Sequence, residues 1–108
     1  MATSVIKYNG ETNWSPINNG IRYRIKDGIV FIEGFSGGSE ITHINSGTTN
    51  VMTLPTGYRP KIDSYAPFAN RAINACSGFA KIEASTGILS ISSSAATDYW
   101  SIQASYPL

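Results

Sequence analysis

Residues able to perform acid–base catalysis are scarce in this sequence. His43 is the single histidine, and histidine is the side chain that most readily exchanges a proton near neutral pH. Composition leaves a Ser-His-Asp arrangement open, but one histidine is thin support for it. We therefore interpret His43 as a solvent-facing or hydrogen-bonded strand residue, and we expect a protein that is not an enzyme.

The carboxylates are spread along the chain rather than grouped. Metal sites need several His, Cys, Asp or Glu side chains at ligand spacing, and glycoside hydrolysis needs two carboxyl groups held at a fixed separation. Neither pattern is visible, so we expect no metal and no cofactor, and a polysaccharide-degrading enzyme is disfavoured. The acidic residues are Glu11, Asp27, Glu33, Glu40, Asp63, Glu83 and Asp98.

Length and charge indicate one compact domain spanning residues 1–108. A chain of 108 residues is long enough to bury a core and too short for two domains. With 14% charged residues and a formal net charge of +1, it has too few charges for a disordered tail and no basic excess for nucleic acid. Nucleic acid is therefore not an expected partner.

Cysteine content and hydropathy bear on where the protein works. Cys76 is the only cysteine, so no disulfide can form within the chain, and we expect it to be a small buried hydrophobic residue. Residues 1–8 lack a signal-peptide pattern, and no stretch approaches the roughly 20 apolar residues that cross a bilayer. We expect a soluble protein that is made in the cytosol and does not insert into a membrane.

Residues 21–35 carry the pattern of a β-hairpin. Two alternating segments, 21–26 and 29–35, flank Asp27-Gly28, which favours a two-residue type I′ turn. This turn sets the register, placing one apolar row on the core side and a row of cations and large apolar groups on the reverse side. The expected opposite pairs are Ile25 with Val30, Tyr23 with Ile32, Arg22 with Glu33, Arg24 with Phe31, and Lys26 with Ile29. We expect a second layer or a neighbouring subunit to cover the reverse side.

The rest of the chain also predicts short strands. A second hairpin is expected from strands 78–84 and 88–92 around a turn containing Gly87, and a last strand at 98–106 should direct Trp100 into the core. Shorter strands are expected at 4–8, 40–44, 50–54 and 62–68. Many short strands separated by turn residues predict an all-β, antiparallel β-sandwich, jelly-roll-like.

A series of short motifs follows a definite order along the chain. A tryptophan segment at 14–16 precedes a Tyr-Arg strand at 23–25, a hairpin strand at 28–34, Leu-Pro-Thr-Gly-Tyr-Arg-Pro at 54–60, a glycine-turned hairpin at 82–91, and an aromatic C-terminal strand. In this order the chain resembles the C-terminal modules of tail-fibre and receptor-binding proteins of bacteriophages and prophages. We interpret 54–60 as structural, because its prolines end strands, Gly57 permits a tight turn and Tyr58 can anchor that turn on the core.

The resemblance implies a receptor-binding head domain at the tip of a virion tail. Related head domains of phage baseplates are β-sandwich homotrimers that bind host saccharides, so the implied partners are a bacterial cell-surface glycan, two further copies of the chain, and other tail or baseplate proteins. The alternative is a structural trimeric cap that does not touch the receptor. The reverse face at Arg24, Ile29 and Phe31 is the candidate subunit contact. The candidate carbohydrate-binding residues are Tyr65, Arg71, Lys81, Glu83, Asp98 and Tyr99.

Overall fold

The computed structural model describes residues 12–108, which form an all-β fold. A single-turn 3-10 helix at Thr56–Tyr58 interrupts the connection between the third and fourth strands. The strand predicted at 4–8 lies outside the described residues, and no helix within 12–108 has the length and hydropathy of a membrane span. The strands are β1 Ile21–Lys26, β2 Ile29–Ser36, β3 Gly47–Thr53, β4 Ser64–Asn70, β5 Ala75–Ile82, β6 Ile88–Ser93 and β7 Trp100–Pro107.

The strands form one antiparallel seven-stranded sheet in the order β1-β2-β7-β4-β5-β6-β3. The sheet curls so that its two edge strands approach each other. Asn19, just before β1, donates a side-chain hydrogen bond of 2.7 Å to the carbonyl of Val51 in β3, and Tyr23 of β1 meets Tyr58 edge to face, with ring centroids 4.7 Å apart. The prediction of an antiparallel, sandwich-like all-β fold is confirmed.

The first hairpin has the predicted turn and register. Asp27 and Gly28 both take positive φ angles, 55° and 74°, as a type I′ turn requires. Ile25 lies opposite Val30, and the remaining pairs follow as expected through Arg22 opposite Glu33. The turn type therefore determined which side chains of these two strands enter the core.

The buried face of the curled sheet forms the hydrophobic core. Trp100 and Phe68 are its largest members, both fully buried, with ring centroids 6.2 Å apart. Trp100 Nε1 donates a 2.8 Å hydrogen bond to the carbonyl of Thr42, so its polar atom is satisfied. Each large apolar side chain removed from water contributes roughly 1.5–3 kcal/mol. The predicted core position of Trp100 is confirmed.

The second hairpin joins β5 and β6, and β5 ends at Ile82, two residues before the predicted end at 84. The Glu83 amide donates to the Ile88 carbonyl at 3.0 Å, so the turn includes Ala84. Gly87 takes φ 76°, and a Cβ there would lie 2.6 Å from the Leu54 carbonyl. Glycine is thus required at this turn both by conformation and by space.

The strand predicted at 40–44 is wrong, because this segment is a loop with isolated bridges. Side chains from β2 and β7, together with Thr97, which lies outside the strands, satisfy its backbone groups. The Thr42 amide donates to Ser36 Oγ at 2.7 Å, and the Thr42 carbonyl accepts from Trp100 Nε1. Ile44 exchanges two backbone hydrogen bonds with Thr97. With these partners the segment needs no neighbouring strand.

The prediction that Cys76 is buried is also wrong, since this cysteine is exposed. It lies near the start of β5, where residues pair with β4 beyond a register shift at Phe68/Ala69. The pairing of β5 with β6 begins only at Gly78. Cys76 therefore precedes the part of β5 that has neighbours on both sides.

Residues 54–60 form a turn with buried ends and an exposed tip at 55–57. Tyr58 anchors this turn as interpreted, whereas Gly57 takes no positive φ angle and is not required by the turn. Leu54 is fully buried, and Tyr58 packs against the core. The Tyr106 hydroxyl of β7 donates a hydrogen bond to the Tyr58 carbonyl. This contact ties the connection between β3 and β4 to the C-terminal strand.

Candidate functional site

The outer face of the sheet, opposite the core, carries several exposed aromatic side chains. On β2, Phe31 and Phe35 alternate with buried residues and are 38% and 52% exposed. Tyr65 on β4 and Phe79 on β5 also lie on this face, 61% and 44% exposed, with ring centroids 5.8 Å apart. An exposed face with this many large apolar groups is typical of a surface that binds a partner.

A groove of about 690 Å³ crosses the outer face over β2, β7 and β4. Three strands that are far apart in the chain form its floor, because β7 lies between β2 and β4 in the sheet. The volume falls in the range of small-molecule sites. The side chains that border the groove include Ile17, Arg22, Glu33, Phe35, Glu40, Pro67 and Gln103.

Planar hydrogen-bonding groups border this groove at the end opposite Phe35. Glu33 of β2 and Gln103 of β7 are directly opposite each other in the strand register. Arg22 of β1 holds the Glu33 carboxylate with hydrogen bonds of 2.6 and 2.8 Å from two guanidinium nitrogens to Oε1. The fixed carboxylate and the exposed carboxamide offer both acceptors and donors at one point.

Phe35 lies at one end of the groove and is held by Arg71. The Arg71 guanidinium carbon is 4.2 Å from the Phe35 ring centroid, within the range of a cation–π contact. The same guanidinium donates to the Ser36 carbonyl, and the Arg71 amide donates to the Tyr99 carbonyl at 2.8 Å. A Cβ at Gly37 would lie 2.6 Å from Arg71 Nη2, so glycine leaves the space that this side chain occupies.

A second, smaller recess of about 340 Å³ adjoins the groove at Glu33 and Gln103. Trp14 and Phe31 border it. The Trp14 ring is covered by the Arg22 guanidinium, 4.2 Å from the ring centroid. This contact shows that part of the expected cover on the reverse face comes from the chain's own segment before β1.

The predicted binding residues separate into two groups at opposite ends of β4. Tyr65 is near the start of β4 and Arg71 follows its end, six residues later, about 20 Å at the rise of an extended strand. Arg71, Asp98 and Tyr99 share one end, whereas Tyr65, Lys81 and Glu83 share the other. None of these side chains borders the groove among residues 12–108.

Lys81 and Glu83 have structural partners. Lys81 Nζ lies 3.7 Å from Asp63 Oδ2 and 3.8 Å from Glu83 Oε2. The Glu83 carboxylate also accepts a 2.7 Å hydrogen bond from Thr86 Oγ1. Both side chains therefore support the turn between β5 and β6.

Sequence reasoning missed Glu33, Phe35 and Gln103 as groove residues. The signal that could have found the first two is the reverse face of the first hairpin, where large apolar groups and charges alternate. Gln103 could not be predicted as a groove residue, because the pairing of β2 with β7 joins residues far apart in the chain.

Residues 34–38 read Gly-Phe-Ser-Gly-Gly and fit the Gly-x-Ser-x-Gly spacing of a nucleophile elbow. Ser36 is fully buried, however, and its hydroxyl donates to the Asp98 carbonyl at 2.8 Å and accepts from Thr42. His43 Nδ1 lies 2.8 Å from Asp98 Oδ1 on the surface, and no hydrogen bond joins His43 to Ser36 within the described chain. The geometry gives no support to Ser36 as a nucleophile.

Neither similarity to known proteins nor a cluster of metal ligands assigns a function to the described residues. Across residues 12–108, no group of three or more His, Cys, Asp or Glu side chains is placed to hold a metal ion. No protein-family model matches the chain, and no curated protein matches it.

Proposed function

We propose that this chain is a non-enzymatic host-recognition module of a phage tail, which binds a bacterial cell-surface saccharide in the outer-face groove. The observation that carries the proposal is the placement of Phe35 at one end of a groove that Glu33 and Gln103 border at the other. The order of sequence motifs, similar to that of tail receptor-binding modules, supports the parent context at the virion tail tip.

The groove has the two kinds of group that a sugar ring requires. The apolar C–H face of a sugar stacks on an aromatic ring, and its hydroxyls hydrogen-bond to planar carboxylate and amide groups. Phe35 supplies a half-exposed ring that Arg71 holds on one side. The two hydrogen bonds from Arg22 to Oε1 fix the Glu33 carboxylate before ligand arrives, which lowers the entropy cost of binding.

A homotrimer at the tail tip would multiply this weak contact, because linked sites bind a polyvalent surface far more tightly than one site does. The proposed subunit contact is the face formed by Arg24, Ile29 and Phe31. Phe31 borders the smaller recess rather than the main groove. Subunit contact and saccharide binding can therefore use different ends of the outer face.

The test is binding to a bacterial glycan array and to purified cell-wall polysaccharide by the intact protein and matched variants. F35A should weaken binding roughly tenfold, the loss of an aromatic contact of about 1.4 kcal/mol. F79A is the control, because Phe79 is exposed to a similar degree on the same face and lies outside the groove. Absence of saccharide binding by the intact protein, or equal losses in both variants, would overturn the proposed site.

The second candidate is a structural trimeric cap, favoured by the exposure of Phe31 beside the partly buried Ile29. A cap would expose no receptor site, so the isolated domain would not compete with phage for cells. Inhibition of adsorption by the added domain supports the receptor-binding proposal, and its absence together with a stable trimer supports the cap.

A further inference from the structure

We infer that the groove selects neutral or amino-bearing saccharides over those that carry carboxylate or phosphate groups. This inference rests on the proposed function and concerns the charge of the ligand that the same groove accepts. It follows from the charged side chains that border the groove and from which of them are paired.

The groove carries one more carboxylate than it has cations. Among the described residues that border it, the charged ones are Arg22, Glu33 and Glu40. Arg22 is engaged by Glu33 at 2.6 Å, so these two charges compensate each other. Glu40 is left as the excess negative charge at the groove.

The cation nearest to the Phe35 end already has other stacking and hydrogen-bond partners. Arg71 directs its guanidinium onto the Phe35 ring and toward the Ser36 carbonyl, and it does not border the groove. A ligand carboxylate or phosphate in the groove would therefore lie near Glu33 and Glu40 without a free guanidinium to accept it. Like charges brought together in this way discriminate against the wrong ligand.

Glu40 is held in place by the turn that precedes it. The Gly37 amide donates to the Glu40 carbonyl at 2.6 Å, and the Glu40 amide donates back to the Gly37 carbonyl at 3.2 Å. Gly37 and Gly38 both take positive φ angles in this turn. The backbone of Glu40 is thus fixed at the rim, and the discrimination does not depend on a freely moving loop.

The experiment uses a matched ligand pair prepared from one glycan. The intact protein is first applied to an array of neutral, amine-bearing, uronate-bearing and phosphate-bearing bacterial glycans. The strongest neutral ligand is then compared with its own derivative in which the primary hydroxyl carbon is oxidised to a carboxylate, by titration at low and high salt. Wild type should bind the carboxylate form about tenfold more weakly at low salt, and the ratio should fall as salt screens the repulsion.

Variants assign the effect to Glu40. E40Q should reduce the preference for the neutral ligand, and E40K should abolish or reverse it. D27N is the matched control for E40Q, because it removes one negative charge at the hairpin turn, and asparagine tolerates the positive φ of that position. D27N should keep the wild-type ratio.

The outcomes separate this inference from the function on which it rests. Saccharide binding with equal or stronger affinity for the carboxylate form overturns the charge selection and leaves the saccharide site intact. An unchanged ratio in both E40Q and E40K likewise overturns the role of Glu40. Failure to bind any glycan on the array overturns the proposed function and this inference with it.

Discussion

The guanidinium of Arg71 covers the ring of Phe35, with 4.2 Å between the guanidinium carbon and the ring centroid. Sequence reasoning predicted Arg71 as a direct saccharide contact, but the structure gives it ring and backbone partners. Arg71 thus acts on the groove through Phe35. An exposed cation–π contact contributes about 0.5–1 kcal/mol.

The first prediction concerns this positioning role. R71A should weaken saccharide binding about two- to fivefold, because the Phe35 ring loses its support without being removed. R71K keeps the charge but loses the planar stacking surface, so it should resemble R71A. Isothermal titration measures the affinities, and NMR of the Phe35 ring should show greater mobility in both variants. A larger loss in R71A than in F35A would instead mean that Arg71 contacts the saccharide.

The second prediction concerns the close approach of β5 to β6. A Cβ at Gly78 would lie 1.8 Å from the backbone carbonyl oxygen of Ser92, so G78A must move one strand. We expect its free energy of unfolding to fall by about 2 kcal/mol or more. Urea denaturation followed by tryptophan fluorescence measures the change.

The control for this substitution is G57A. A Cβ at Gly57 meets nothing within 4 Å, and the residue does not need a positive φ angle. Its free energy of unfolding should stay within about 0.5 kcal/mol of wild type. Equal stability of G78A and wild type would contradict the close approach of the two strands.

The parts of the fold that were predictable are those set by neighbouring residues. Asp27-Gly28 determines a turn type, and the turn determines the register of β1 against β2. The strand predicted at 40–44 rests on local alternation of apolar and polar residues. The Thr42 backbone instead bonds to the side chains of Ser36, six residues away, and Trp100, 58 residues away. Local periodicity cannot report a backbone group that a distant side chain satisfies.

The candidate site was less predictable than the fold for a related reason. The groove exists because β7, the last strand, lies between β2 and β4. Residues such as Glu33 and Gln103 meet only through that order, which alternation within a strand does not specify. The sequence did indicate an unusual reverse face on the first hairpin, and the groove lies partly on that face.

The third prediction is a loss of stability at high pH through Tyr106. Burial raises the pKa of the Tyr106 hydroxyl above its ordinary value of 10.0. Above about pH 10 the unfolded chain loses this proton while the folded chain keeps it, so the unfolded state binds fewer protons. The free energy of unfolding therefore falls as pH rises through this range, by up to about 1.4 kcal/mol per pH unit from this group.

Comparison with Y106F isolates this contribution. Y106F loses the hydrogen bond to the Tyr58 carbonyl, so it should be less stable than wild type by about 1 kcal/mol near neutral pH. Because phenylalanine does not titrate, the difference should shrink above about pH 10. Urea denaturation near neutral pH and above about pH 10 measures the stability difference between wild type and Y106F. Y99F, at an exposed position, is the control. A difference that stays constant with pH would contradict the linkage.

The fourth prediction concerns assembly through Phe31. This side chain is 38% exposed on β2, beside the partly buried Ile29 and opposite Arg24 in the strand register. A closed ring of identical subunits repeats one contact, so a single polar substitution acts at every interface. Sedimentation at micromolar concentration should show a trimer for wild type and dissociation for F31S, whereas F79S, with a similarly exposed ring, should remain trimeric. A monomeric wild type would refute the trimer, and equal dissociation of both variants would place the contact elsewhere on the outer face.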